Sequence, residues 1–253
     1  MKKNINQIFG KDAHIKIYFL PWLIALSFIL RLVTVYFFRD VQIDNEWNIL
    51  LENLVKDGSY SFYTFEGISI PSVLLPPLYP FFLYSIKTIT SLSDNSFLYL
   101  IFLIQIILST YSIFLFYQIN QNFFLNKIAL INSIIFSIIP LNVYACGQFS
   151  SVSIQIFFSL IFLKYLLLII KKQNIKNITF FSIISGLLIL TRGEFILIFS
   201  IIIFIFLITK KIKIINLIKI GIIVLLVVSP YLIRNYSHFD KIIIVKSYCS
   251  DFS

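Results

Sequence analysis

Two kinds of side chain in this sequence could do chemistry together: carboxylates gathered in one acidic stretch, and arginines at two distant points. The stretch runs from Ile43 to Pro80 and reads IDNEWNILLENLVKDGSYSFYTFEGISIPSVLLPPLYP. Six of the 11 acidic residues lie in it or beside it: Asp40, Asp44, Glu46, Glu52, Asp57 and Glu66. Much later come Arg192 and Glu194 in Thr191-Arg192-Gly193-Glu194, and Arg234 in Pro230-Tyr231-Leu232-Ile233-Arg234-Asn235-Tyr236. A carboxylate at the edge of an apolar face takes a proton from a hydroxyl or an amine. Arginine grips phosphate with two parallel hydrogen bonds. A site holding both suits a lipid-linked phosphate in the outer leaflet of a membrane, provided the fold brings these stretches to one side.

The rest of the chain must do that positioning. It has 253 residues, 59% of them hydrophobic and 13% charged, where a soluble domain carries about 25% charge. Mean hydropathy is +0.93. Apolar runs of about 20 residues recur, the length that crosses a bilayer core. The expected class is an all-α, polytopic transmembrane protein. The net charge of +10 raises nucleic acid as a partner. The lysines argue against it, because they cluster in short segments between apolar runs, as the positive-inside rule expects of cytoplasmic loops. The two cysteines, Cys146 and Cys249, make no disulfide framework, and the two histidines, His14 and His238, make no metal site or triad. No metal and no cofactor is expected.

In chain order, residues 1–16 read as a cytoplasmic N-terminus. Ile17 to Phe38 is a first span, too long for a signal-peptide core and without a cleavage site. Arg31 inside it must face protein, water or headgroups, or snorkel to the outer interface. The loop over residues 39–95 holds seven carboxylates, with Asp94 added to the six above, against Arg39, Lys56 and Lys87. That balance fits the non-cytoplasmic side. Within the loop Ile43, Trp47, Leu50, Leu51 and Leu54 repeat at helical spacing, predicting an amphipathic helix on the membrane surface. Asp44 and Asn48 flank its apolar face, Glu46 and Asn53 point to water, and Gly58 is the C-cap. Pro76-Pro77 then breaks the chain, and Leu78 to Ile89 runs apolar along the surface. Spans follow at Phe97 to Ile119, Ile128 to Cys146 and Ser150 to Ile170. Ile178 to Ile208 is too long for one span, so it reads as a hairpin with Thr191–Glu194 at its outer tip. Leu217 to Ile233 is the last span, making about seven crossings with the N-terminus inside. The division is thus residues 1–16, a transmembrane domain over 17–235, and an outer tail over 236–253. Every site candidate lands on the non-cytoplasmic side.

Four segments carry a resemblance to a known family: Asp44-Asn45-Glu46-Trp47, Leu75-Pro76-Pro77-Leu78-Tyr79-Pro80, Thr191-Arg192-Gly193-Glu194 and Pro230 to Tyr236. In this order they resemble the GT-C membrane glycosyltransferases of the family 39-like kind, including the aminoarabinose and mannosyl transferases. The resemblance covers roughly residues 17–245. It implies a glycosyltransferase that moves a hexosyl or pentosyl group from a polyprenyl-phosphate donor to an envelope acceptor (lipid, glycan or protein). It places the protein in the inner (plasma) membrane and the reaction on its outer face. Asp44 is then the catalytic base, with Glu46 as the second carboxylate. Arg192 and Arg234 hold the donor phosphate, and Pro76, Pro77, Tyr79 and Glu194 form the substrate loop. The sequence departs from the family pattern where Asn45 separates Asp44 from Glu46, and where Ser150-Ser151 replaces Ser-Glu. The chain is also shorter than family members, which raises an inactive fragment as an expectation.

Each candidate also has a plainer reading. Asp44 suits an N-cap, Glu46 a solvated surface position, and Arg192 a local pair with Glu194. Arg234 suits an interfacial anchor beside Tyr231 and Tyr236, the prolines a structural turn, and Cys146 a small apolar filler. The other functional class is a non-catalytic membrane protein, such as a lipid-linked-sugar carrier or an envelope-assembly subunit. Carriers place their polar groups near the bilayer midplane, whereas here they gather at the outer surface.

Overall fold

The structure is a computed structural model that describes residues 12–41, 45–65 and 68–244. Asp44, Glu66 and Cys249 lie outside the described residues. Among the described residues are ten α-helices, one 3₁₀ turn and one two-stranded hairpin. Near-continuous apolar runs give this result because a helix satisfies its own backbone polar groups, which a bilayer cannot do.

Four helices have the length and composition of membrane spans: Phe19–Phe38, Asp94–Asn120, Val152–Lys171 and Ile214–Phe239. A fifth span is reached if Asn126–Ile138 and Pro140–Gly147, bent by 58°, count as one. Ile175–Thr191 and Phe195–Thr209 are shorter apolar helices. All the apolar runs are therefore helical, while length supports four to five crossings where the sequence pattern counts seven.

The chain forms two compact units. The first comprises Met1–Val41, Tyr99–Gln148 and Val152–Leu160. It contains α1 (Asp12–Phe38), most of α4 (Asp94–Asn120), α5 (Asn126–Ile138), α6 (Pro140–Tyr144) and the turn Ala145–Gly147. The bend between α5 and α6 has a local cause. Ile139 precedes Pro140 and is pushed to φ −56°, ψ 120°, out of the helical region. Arg31 settles the question its position poses by facing protein. It is fully buried, with Nε on Ser109 Oγ at 2.8 Å and Nη1 on the carbonyls of Ser27 at 3.1 Å and Ser137 at 3.3 Å. Cys146 is buried, and its thiol donates to the Asn142 carbonyl.

The second unit comprises Gln42–Leu98, Phe149–Ser151 and Ile161–Ser253. Its elements are α2 (Glu46–Asp57), β1 (Ser61–Phe65), β2 (Ile68–Pro71), α3 (Leu78–Thr90), the larger part of α7 (Val152–Lys171), α8 (Ile175–Thr191), α9 (Phe195–Thr209) and α10 (Ile214–Phe239). α8 and α10 pack closely at Gly186, where an added Cβ would meet Val227 at 2.7 Å. α9 exposes Leu197, Ile201, Phe204 and Ile208, as a lipid-facing helix does.

α2 corrects two expectations. Its N-cap is Asn45, whose Oδ1 accepts from the backbone of Trp47 and Asn48, both at 3.2 Å. The capping alternative for Asp44 is thus filled by its neighbour. Gly58 closes the helix at φ 66°, as expected. The apolar face does not lie open to lipid. Leu50 and Leu54 are buried with Tyr60 and Phe62, and Leu74, Leu75 and Tyr84 pack against them. The physical reason is that Tyr60 and Phe62 at the start of the β1–β2 hairpin, which the sequence pattern did not announce, cover the stripe together with Leu74, Leu75 and Tyr84. Asn53, expected in water, ties α2 to β1 through its Nδ2 and the Ser61 carbonyl at 2.7 Å.

Candidate functional site

A cavity of about 250 Å³ opens in the second unit. Four segments wall it: Trp47 from α2, residues 73–76 from the loop before α3, residues 191–194 between α8 and α9, and Tyr231 from α10. Ser151 and Ile244 complete the lining.

Each wall is held by identifiable contacts. Asn45 fixes the start of α2 by capping it and by donating from Nδ2 to the Phe149 carbonyl at 3.0 Å. At the second residue of the helix, the Trp47 ring meets the buried Tyr79 ring edge-on, with centroids 5.1 Å apart. Tyr79 also packs on Phe82 and Phe149, so Trp47 is braced from behind. The loop wall is tied by its backbone. The Ser72 N–H donates to the Tyr60 carbonyl at 2.9 Å, the Leu74 N–H to Ser72 Oγ at 3.1 Å, and the Tyr60 hydroxyl to the Leu75 carbonyl at 2.7 Å. Burial pushes the Tyr60 phenol above the ordinary tyrosine value; Tyr231 adds to the shift and Arg234 opposes it. Its hydroxyl therefore stays a donor.

The sequence candidates separate in space. Pro76, Arg192 and Glu194 line the cavity together. Arg192 and Glu194 are exposed and form no ion pair with each other, and Arg192 makes no side-chain hydrogen bond among the described residues. The local-pair reading of Arg192 therefore has no geometric support. Glu46 starts α2 as an exposed side chain. Pro77 sits at the N-terminus of α3, and Tyr79 is a brace behind the wall. Arg234 is not among the lining residues. Its Nη1 donates to the Ser72 carbonyl at 2.7 Å and to Asn235 Oδ1 at 2.9 Å, and its Nη2 donates to the Tyr60 carbonyl at 2.8 Å. Its guanidinium also lies 5.2 Å from the Tyr60 ring centroid. It clamps the loop wall from outside the cavity.

Nine lining residues have no site role in the sequence expectations, among them Trp47, Ser151 and Tyr231. Trp47 and Tyr231 stand inside two of the quoted motifs, so a signal existed. Tyr231 lies three residues before Arg234 on α10, within one helical turn, and it is the tyrosine that reaches the cavity. Among the described residues no three His, Cys, Asp or Glu side chains converge as a metal site would require.

A protein-family profile described as dolichyl-phosphate-mannose-protein mannosyltransferase matches residues 76–233. The chain belongs to this family. It is a membrane glycosyltransferase of the GT-C type, as its four motifs imply. The matched segment takes in the Pro76 turn, Arg192, Glu194 and Tyr231, and leaves out Asp44, Glu46 and Arg234. No curated protein and no solved structure matches the chain.

Proposed function

We propose that this glycosyltransferase takes a sugar from a polyprenyl-phosphate donor bound at the second unit's cavity. It passes the sugar to an envelope acceptor on the extracytoplasmic face of the plasma membrane. The observation that carries this reading is Arg192, an exposed guanidinium, unbonded among the described residues, on the cavity wall beside Trp47, Tyr231 and Glu194. Its two-pronged donor set fits the two unesterified oxygens of the donor's phosphodiester and the phosphate monoester that leaves, and charge-assisted bonds of this kind contribute about 1.5–3 kcal/mol each.

Asp44 is the base in this reading. It lies one residue before the cap of α2 and three before the cavity-lining Trp47. Because Asn45 does the capping, Asp44 is spared that task. The acceptor oxygen or nitrogen attacks the anomeric carbon and its proton passes to the Asp44 carboxylate. The bond from that carbon to the phosphate oxygen breaks, and the electron pair leaves with the phosphate. Arg192 balances the charge that develops there. Glu194 and Pro76 shape the substrate side, and Glu46 is the second carboxylate at the same helix start. Arg234 keeps a supporting place: it holds the Ser72 loop so that the wall keeps its shape.

Sidedness has its own support. α8 has 17 residues and spans about 25 Å. In the turn just before its far end, Gln173 is bonded to the Lys211 carbonyl and the Lys213 N–H, so both lysine-rich turns share one end. Lysine-rich turns favour the cytoplasm, which supports a reading with the cavity end and Arg192 on the opposite, outer side.

The test is transfer from a polyprenyl-phosphate sugar by the purified full chain. Asp44→Asn should lower transfer about 100-fold or more, the usual contribution of a positioned base, with expression and membrane insertion unchanged. Full transfer by the Asn variant moves the base to Glu46 or Asp40. A wild-type chain that uses no polyprenyl-phosphate sugar sinks the donor assignment.

A further inference from the structure

The end of the second unit away from the cavity carries a different surface. Here α7 gives way to α8, and α9 to α10, through two short turns. One side chain joins them. Gln173 Nε2 donates to the Lys211 carbonyl at 2.7 Å, and Gln173 Oε1 accepts from the Lys213 backbone N–H at 3.1 Å and from Asn216 Nδ2 at 2.9 Å. The two turns therefore form one surface rather than two independent loops.

That surface is cationic. Lys172, Lys176, Lys210, Lys211, Lys213 and Lys219 are all exposed and form no ion pair among the described residues. Glu194 is the sole carboxylate in the sequence from Lys172 to Lys219, and the length of α8 separates it from them. Lys210 also holds a left-handed backbone at φ 50°. Glycine takes that position without strain, so a lysine there keeps a cation at some conformational cost. Directly beside the lysines the helices expose Ile175, Ile208, Ile214, Ile215 and Ile218. Apolar side chains next to a ring of cations match the boundary between hydrocarbon and headgroups.

We infer that this Gln173-pinned lysine surface binds the phosphate headgroups of anionic phospholipids. Lysines crowded without carboxylates repel one another, and anionic headgroups relieve that repulsion. The neighbouring isoleucines meet the acyl chains. Gln173 holds the two turns together before any lipid arrives, so cations from both converge on the same headgroups. The inference is independent of the transferase reading, since it uses neither the cavity nor any of its residues.

The experiment is native mass spectrometry of the full chain released from mixed phosphatidylglycerol and phosphatidylcholine bilayers. The wild type should retain phosphatidylglycerol in preference to phosphatidylcholine, and added salt should erode the preference. Replacing Lys210, Lys211 and Lys213 by Gln should lower retention about fivefold per lysine removed. Gln173→Ala should lower it severalfold with every lysine in place. Lys56→Gln with Lys241→Gln, away from the surface, should leave it unchanged. Equal retention of the two lipids by the wild type overturns the inference, as does a preference that ignores salt. So does unchanged retention in the triple variant or in Gln173→Ala, or an equal loss in the control pair. If the triple variant does not insert, the salt series on the wild type decides.

Discussion

Arg31 in the first unit and Arg192 in the second are both arginines set in apolar sequence, and their surroundings are opposite. Arg31 is fully buried and spends Nε and Nη1 on a serine hydroxyl and two backbone carbonyls. Arg192 ends α8 as an exposed side chain on a cavity wall, with no bonded partner among the described residues. A guanidinium surrounded by oxygen acceptors from its own protein holds helices together. One that faces open volume with its donors unused is available to an anion. The same comparison separates Arg192 from Arg234, whose fork is occupied by the Ser72 and Tyr60 carbonyls. Chemical type alone assigns all three to phosphate or to anchoring; the acceptors around them decide which.

Breaking the first side of this comparison should have the largest effect on stability. Arg31→Ala removes three hydrogen bonds from a charged donor and leaves a void beside Ser109 and Ser137. A loss of about 3 kcal/mol is expected, read as a lower thermal midpoint in detergent. A variant as stable as the wild type would remove Arg31 from the packing of its unit.

Arg192→Lys tests the other side. The charge stays and the planar fork goes. Donor affinity should weaken about tenfold, as befits one lost charge-assisted bond, while stability changes by no more than about 0.5 kcal/mol, as for an ordinary surface site. Unchanged donor affinity would return Arg192 to a passive place at the helix tip. A large loss of stability would show that it has structural partners after all.

The helices that carry these arginines are legible in the sequence, and the contacts that separate them are not, for a physical reason. Helix positions followed from apolar runs and caps: Gly58 and the Thr191–Glu194 break each mark a boundary that the structure keeps, whereas the span expected over Ile128 to Cys146 is broken at Pro140. The motifs that carried the resemblance also hold most of the cavity wall. Illegible were the contacts between residues far apart in the chain. Arg31 meets Ser109 across 78 positions and Arg234 meets Tyr60 across 174, and no local pattern encodes such pairings. The β1–β2 hairpin escaped notice for a different reason. Its strands have five and four residues, too short for alternation to stand out. Without it, helical spacing alone predicts an α2 face open to lipid, whereas Tyr60, Phe62, Leu74, Leu75 and Tyr84 cover it.

The smallest expected effect lies at a buried tyrosine of the second unit. Tyr60 sits under the loop wall, its ring stacked 5.8 Å from Phe81 and its hydroxyl on the Leu75 carbonyl at 2.7 Å. Burial raises its pKa, Tyr231 adds to the rise and Arg234 opposes it. The sign for stability follows from which state loses its proton first. Below about pH 10 the tyrosine is neutral in both folded and unfolded chains, and the group adds no pH dependence. Above it, the unfolded chain ionises while the folded one keeps its proton, so stability falls with rising pH by up to about 1.4 kcal/mol per unit. Tyr60→Phe should cost about 1 kcal/mol at neutral pH for the lost hydrogen bond. It should also remove this group's share of the alkaline slope. Melts of wild type and variant from pH 7 to 11 isolate that share by difference. Parallel slopes would mean that the Tyr60 hydroxyl ionises as freely in the fold as outside it, and that the loop wall is looser than its hydrogen bonds imply.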